Sequence, residues 1–408
     1  MADKKKLSVS EYLSMGRYET KAQVMEVSEK TSKMTIGVPV ESTHQESRVS
    51  LVPSSVSTLV ARGHKVLVET GAGSKSNFSD LDYSEVGAEI VYSRDQVFEA
   101  NCLIKVAPPT PEEIDLLHPN QILISPLHLP YLTRDYLVRI KEKRVIALAM
   151  EYLQGRDGSF PVVTILGEIA GLSAILTAAE LLNSTGGGNG LLLGGISGVP
   201  PANVVILGAG TVAETASRSA LGLGASLCIF DNDISKLTRL QNRLGQRLFT
   251  SALNPIYLKR ALKVADVVIG AIHAKSGRTP MIVTEDMVRQ MKPGSVIIDI
   301  SIDQGGCFET SEVTSHENPT FSKHEVIHYC VPNISAKVAR TASIAISNIM
   351  TPILLDAGET SAIERFLFSN HGMRHGIYSY KGCITNSYLA ELHTLKYTDL
   401  DLLIASNL

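Results

Sequence analysis

A chain of 408 residues is too long for one small core and suits two domains. With 44% hydrophobic and 19% charged residues, its composition excludes a disordered polymer. A formal net charge of -3, with no Lys/Arg stripe beyond Lys4–Lys6, excludes a global field that draws the chain to nucleic acid.

Residues 1–33 are polar and rich in Lys, Glu and Ser, and read as a surface extension with at most one short helix. From Met34 the pattern alternates. Strands are expected at Met34–Val40, Lys65–Glu69, Glu89–Tyr92, Cys102–Val106, Gln121–Ser125 and Val145–Met150. Between the first two, Pro53–Arg62 reads as a helix with a Pro start and a Gly63 stop. Short β-rich runs spaced by helical segments argue for a parallel sheet. Small and apolar residues at helical spacing predict a helix over Gly167–Leu182, followed by a Gly-rich turn region over 185–198. A second alternating unit places strands at Asn203–Leu207, Ser226–Phe230, Ala265–Ala271, Ser295–Ile300 and Val326–Val331. Each is apolar throughout, as a strand covered on both faces should be. A helix at Ala339–Leu355 is expected to return the chain to the first unit.

The architecture implied is α/β, with two doubly wound, Rossmann-like domains built on parallel sheets and an active-site cleft between them. The expected divisions are an extension at 1–33, the first part of a substrate domain at 34–165, a nucleotide domain at 166–338, and a closing segment at 339–408. The longest apolar candidate, Ala339–Ala357, is broken by Ser343, Ser347, Asn348, Pro352 and Asp356, so a buried or bridging helix is expected rather than a membrane span. No signal peptide is read. The five cysteines form no Cys-x-x-Cys pair and sit mostly in apolar runs, as reduced thiols of a cytoplasmic protein do. No clustered Cys or His ligands mark a metal.

The strongest motif is Gly208-x-Gly210-x-x-Ala213, after the apolar run that begins at Asn203. Gly208 permits the tight strand-to-helix turn, Gly210 lets backbone approach a pyrophosphate, and Ala213 is small enough for close helix–strand packing. Amides at the helix start hold phosphates. Asp231 follows 23 residues after Gly208, at the end of the next strand. A carboxylate there accepts hydrogen bonds from a ribose 2′-OH and repels a 2′-phosphate, which favours NAD over NADP. Lys236 and Arg239 on the following helix keep a mixed-cofactor reading open.

Ligands of open α/β sheets sit beyond the carboxyl ends of the strands. Those ends carry Glu41, Glu46 and Arg48, then Lys105, His128, Glu151, Asp303 before Gly305–Gly306, and Asn333. His128 suits a general acid/base, because imidazole changes charge near neutral pH. Arg48 suits a carboxylate clamp, because its planar fork matches two oxygens. The bland alternatives are a satisfied loop histidine and a surface ion pair. Asp303 is alternatively a helix cap, and Asn333 is placed to touch a nicotinamide ribose or carboxamide.

In order along 34–352, several stretches resemble the alanine dehydrogenase family, which includes the nucleotide-binding part of the nicotinamide nucleotide transhydrogenase. They include GVPVES and ESRVSLVPSSV (within 37–56), GHKVLVETGAG (63–73), LIKVAPP (103–109), LLLGGISGVPPANVVILGAGTVAETASRSALGLGA (191–225), MKPGSVIIDISIDQGGCFETSEVTSHENPTF (291–321) and HYCVPN (328–333). The resemblance implies NAD-dependent oxidative deamination of L-alanine to pyruvate and ammonium, and the reverse. It implies that Arg48 holds the substrate carboxylate, His128 handles the carbinolamine oxygen as acid/base, and Asp303 orients water or ammonia. It also implies a homohexamer, or a dimer, with no membrane or nucleic-acid partner. The chain departs from the family pattern at Ala107, where a second lysine is usual, leaving Lys105 as a substitute only if the backbone shifts. Gly167 replaces a serine, and Ile334-Ser335 replaces Met-Pro after Asn333. These departures keep two alternatives open: a dehydrogenase for another small amino or keto acid, and a catalytically weakened NAD-binding regulatory protein.

Overall fold

The computed structural model describes residues 34–43, 45–129, 132–274, 278–359 and 370–405. The extension expected over 1–33 lies outside them. Strands β1 (Thr35–Val38), β2 (Lys65–Glu69), β3 (Glu89–Val91), β4 (Cys102–Ile104), β5 (Ile122–Ser125) and β6 (Ile146–Ala149) run parallel in one sheet. Helix α1 (Pro53–Ala61) joins β1 to β2, with Pro53 in its first turn and Gly63 beyond its end at φ +88°. Helix α2 (Pro161–Leu182) leads into the second half. It starts six residues before the helix expected from Gly167, because Pro161 takes the first helical position while the β-branched Val162 and Val163 disguise the period.

The second sheet contains β7 (Asn203–Leu207), β8 (Ser226–Phe230), β9 (Phe249–Ser251), β10 (Val267–Gly270), β11 (Val296–Asp299), β12 (Thr320–Lys323) and β13 (Val326–Tyr329). Helix α3 (Thr211–Gly222) follows β7 and α4 (Ile234–Leu244) follows β8. After α5 (Ala339–Glu359), β14 (Ile377–Tyr380) and β15 (Cys383–Ile384) return to the first sheet, so the first domain is discontinuous. The orders are β3-β2-β1-β4-β5-β6-β14-β15 and β9-β8-β7-β10-β11-β13-β12. The sheets are mostly rather than wholly parallel: β14, β15 and β12 pair antiparallel at the edges.

Alternation with both faces buried explains the continuous apolar runs. Val204 and Ile206 of β7 join one core cluster, while Val205 and Leu207 join another on the opposite face. The order reverses between β1 and β4 in one sheet and between β7 and β10 in the other. These are the two places where the fold opens a crevice.

Two local devices set the crevice walls. A Cβ at Gly171 on α2 would collide with the carbonyl of Val212 and lie 2.8 Å from the Ala216 nitrogen, so α2 and α3 pack backbone to backbone. Ala213 is fully buried in the same layer, where the fingerprint's third glycine is replaced. On α5, the hydroxyls of Ser343 and Ser347 accept the backbone N–H groups of Val49 (2.9 Å) and Val52 (3.0 Å). These serines within an apolar helix therefore anchor the segment that carries Arg48. The stretches Pro161–Leu182 and Ile334–Gly358 are long and apolar enough to cross a membrane, and half of each apolar window is buried inside the fold. The stretch 334–358, which contains the 339–357 candidate, is the longer of the two, and 161–182 is the more apolar.

Candidate active site

At the end of β7, Gly208 takes φ +109°, and a Cβ there would collide with the carbonyl of Ala271 after β10. The turn is thus pressed into the crevice where the strand order reverses. Gly210 differs. Its Cβ would meet nothing within 4 Å, so the missing side chain leaves a cradle. Helix α3 begins immediately after it without a side-chain cap, and its first amides are available to an anion. Asp231, at the end of β8, accepts the N–H of Ala209 through Oδ2 and that of Asp233 through Oδ1, both at 2.8 Å. Each carboxylate oxygen retains a second lone pair for a ribose hydroxyl. Lys236 lies in the first turn of α4, where its N–H bonds the Asp233 carboxylate at 3.2 Å. His273, after β10, is pushed down by burial and then by the Lys236 charge. Sequence reading did not select His273. Uncollided backbone, an uncapped helix and a ribose-reaching acid together fit a dinucleotide.

This geometry separates two substitutions. Gly210→Val should fold normally but fill the cradle, raising the NADH Kd at least tenfold, about 1.4 kcal/mol. Gly208→Ala should instead lose stability, because both its φ and its Cβ position forbid a side chain. Fluorescence titration with NADH, beside thermal melts, checks both.

The opposite wall is built on the segment after β1. Glu46 and Arg48, two residues apart in the loop after β1, turn their side chains towards each other. Arg48 Nε donates to Glu46 Oε1 at 2.7 Å, and Nη2 donates to Oε2 at 2.6 Å, both side chains being buried. Burial opposes ionisation of each, yet the pair outweighs it: the guanidinium holds Glu46 below the usual carboxylate range, and Glu46 raises Arg48. From the second half, Ser335 Oγ accepts Arg48 Nη1 at 3.1 Å, and Asn333 Nδ2 donates to Glu46 Oε2 at 2.7 Å. Asn333, in the left-handed region at φ 57°, donates its N–H to Asp303 Oδ1 at 2.9 Å. The structure thus gathers Arg48, Asn333 and Asp303, together with Glu46 and Ser335, across the cleft.

Asp303 sits in the 3-10 turn Ile300–Gln304, and Asp299 shapes the loop around it. Buried Asp299 accepts the N–H groups of Ser301 (3.0 Å) and Cys307 (3.1 Å) and the Ser311 hydroxyl (2.8 Å). Gly305 and Gly306 complete the turn at φ +92° and +78°. Asp303 reaches solvent in the cleft, yet the protein crowded around it pushes its carboxyl up to about 6, against the Asn333 N–H and the Arg48 charge.

Lys105, the expected substitute for a missing cation, is instead drawn into a buried ion cluster. Its Nζ lies 2.8 Å from Glu41 and 3.4 Å from Glu113, and Glu113 also meets Arg94 at 2.6 Å. Burial disfavours the ammonium, but the two carboxylates keep it charged. Ala107 is buried beyond the end of β4. His128 follows β5 in the left-handed region at φ 49°. Glu151, after β6, accepts the Leu127 N–H at 2.7 Å and is also hydrogen-bonded by the His128 backbone. Burial pushes the Glu151 carboxyl up to about 7. Glu46 was in view from sequence as an acid two residues before Arg48, while Asp299 was not, although its signal was present as an Asp closing the apolar strand before Asp303.

Models of the alanine dehydrogenase/PNT N-terminal and C-terminal domains match residues 37–170 and 174–387. The chain is 41% identical over 370 residues to alanine dehydrogenase 2 of Staphylococcus aureus, covering 90% of this chain and 99% of that protein. A solved L-alanine dehydrogenase superposes with a TM-score of 0.83 at 36% identity, over 88% of this chain and 99% of the other. A transhydrogenase from Sinorhizobium meliloti, at 22% identity and a TM-score of 0.73, covers 86% of this chain and 99% of its own, and shares the fold.

Proposed function

The chain belongs to the alanine dehydrogenase/PNT family, and from that premise we propose that it interconverts L-alanine with pyruvate and ammonium using NAD. The observation that carries this reading is 41% identity to an alanine dehydrogenase along 99% of that enzyme's length. Support comes also from the Gly210 cradle at the start of α3 and from the hydrogen-bonded group of Arg48, Asn333 and Asp303. The direct test is NADH oxidation dependent on both pyruvate and ammonium, with L-alanine identified as product.

In this reading Gly208, Gly210 and the α3 amides hold the pyrophosphate, with Ala213 keeping the helix close. Asp231 binds the adenosine ribose, Lys236 borders it, and Asn333 meets the nicotinamide side. When bound, NAD supplies the acceptor for the hydride leaving the substrate Cα. Arg48 has five N–H donors, of which Glu46 and Ser335 occupy three through the side chain. The remaining two form the clamp for the substrate carboxylate. His128 removes the carbinolamine hydroxyl proton as the amine departs, and returns it in the amination direction. Asp303 orients the attacking water or ammonia and offsets the cationic iminium. We assign Lys105 to internal charge balance with Glu41 and Glu113, which leaves Arg48 as the clamp's cation.

Asp303 makes the reaction pH-dependent in a defined direction. Its raised pKa means the proton is retained until about pH 6. If the carboxylate is the active form, kcat/KM for L-alanine should rise with pH through about 6. Asp303→Asn should lower activity and abolish that limb, as read from pH–rate profiles of the two proteins.

A second reading rests on Ala107: a chain lacking the usual cation is a catalytically weakened NAD-binding protein, or prefers another small keto acid. NADH binding without turnover on any keto acid favours the former, and a preferred acid other than pyruvate the latter. We further propose self-association into a homohexamer, with a dimer as the alternative. Exposed Leu172 and Leu176 on α2, and Leu192, Ile196 and Val199 in the turns after it, support this. Sedimentation measures the outcome. All five cysteines are free, in keeping with a cytoplasmic location.

A further inference from the structure

Ser335, where the resemblance implies a proline, lies in the turn Ile334–Val338 between β13 and α5. It is 5% exposed. Its hydroxyl accepts from Arg48 Nη1 at 3.1 Å and donates to Asn333 Oδ1 at 3.0 Å. Asn333 Nδ2 donates to Glu46 Oε2 at 2.7 Å, and Glu46 returns to Arg48 through Nε and Nη2. Four side chains therefore close a ring, two from each half of the molecule.

The ring has a division of labour. Glu46 grips one edge of the guanidinium from within its own segment, only two residues away. Ser335 is the contact that reaches Arg48 from the nucleotide half, and it also orients the Asn333 amide. Proline at this position has no side-chain donor or acceptor and breaks the ring at two bonds. We propose that Ser335 is a positioning residue for the substrate carboxylate clamp, aligning Arg48 against the nicotinamide side of the cleft. This rests on the reading of Arg48 as the clamp.

Steady-state kinetics of the full chain with pyruvate, ammonium and NADH test it, using Ser335→Ala, Ser335→Thr and Arg48→Lys. Ser335→Ala should raise the pyruvate KM about 5–10-fold, the size expected for weakening one ordinary hydrogen bond of the clamp. Its kcat and NADH Kd should remain within about twofold, because the hydroxyl transfers no proton and the Asn333 amide keeps its bond to Glu46. Ser335→Thr retains the hydroxyl and should restore the parental KM. A KM unchanged in Ser335→Ala, while Arg48→Lys raises it, overturns the role of Ser335 alone. Equal rises in the Ala and Thr variants also overturn it, since the hydroxyl is then not what matters. No change in Arg48→Lys removes the clamp reading and this inference with it.

Discussion

Replacing His128 by alanine is expected to lower kcat roughly 10²- to 10⁴-fold while NADH binding is retained. The residue is committed to its place at a cost. A non-glycine residue at φ 49° is uncommon, and such strain persists only where surrounding structure imposes it. Here Glu151 imposes it by holding the backbone N–H of Leu127 at 2.7 Å and binding the His128 backbone as well. A turn held this way carries an imidazole, the side chain whose ordinary pKa allows proton transfer in both directions near neutrality. Because alanine resists the left-handed region, His128→Asn is the cleaner comparison: asparagine tolerates that backbone but cannot relay the proton. Both variants should lose turnover with little change in NADH Kd. Parental kcat in His128→Asn removes the histidine from proton transfer.

The second large effect is on Arg48. Arg48→Ala should reduce kcat/KM for pyruvate about 10²- to 10³-fold, some 3–4 kcal/mol, with NADH binding intact. Ala107 contributes no cation and Lys105 is occupied by Glu41 and Glu113, so loss of Arg48 leaves the carboxylate without its ionic partner. The same substitution strands Glu46, which is 1% exposed, at a cost of about 3–5 kcal/mol. The double variant Glu46→Ala/Arg48→Ala should therefore recover stability without recovering activity. Chemical denaturation and keto-acid kinetics on the parent and the two variants separate the two roles. If Arg48→Ala keeps its kcat/KM, the clamp lies elsewhere.

The parts of this site legible in the sequence are those set by neighbouring residues. Gly208, Gly210 and Asp231 announce themselves because the turn, the cradle and the following strand end are consecutive pieces of chain. The buried strands are equally plain, since both faces of β4, β7 and β10 demand apolar side chains; β7 has the expected bounds, while β4 and β10 are shorter than expected where the chain bends away. The short edge strands β9, β12 and β15 escaped because an edge needs no continuous apolar run, and β14, buried between β6 and β15, escaped because its four residues include Ser379. Long-range partnerships escaped for a different reason. Arg48 meets Ser335, 287 residues away, and Lys105 meets Glu41, 64 residues away. Strand alternation shows that such side chains share a side, but not which charge they find there. Lys105 shows the consequence: its position suggested a ligand for substrate, while Glu113 from the helix after β4 completes a closed ion cluster around it.

The most direct measurement follows the hydride. With NADH doubly deuterated at C4, pyruvate and ammonium, the account predicts L-alanine carrying one deuterium at Cα for each NADH oxidised. NADH that binds without keto-acid-dependent oxidation, or alanine formed without deuterium, contradicts it.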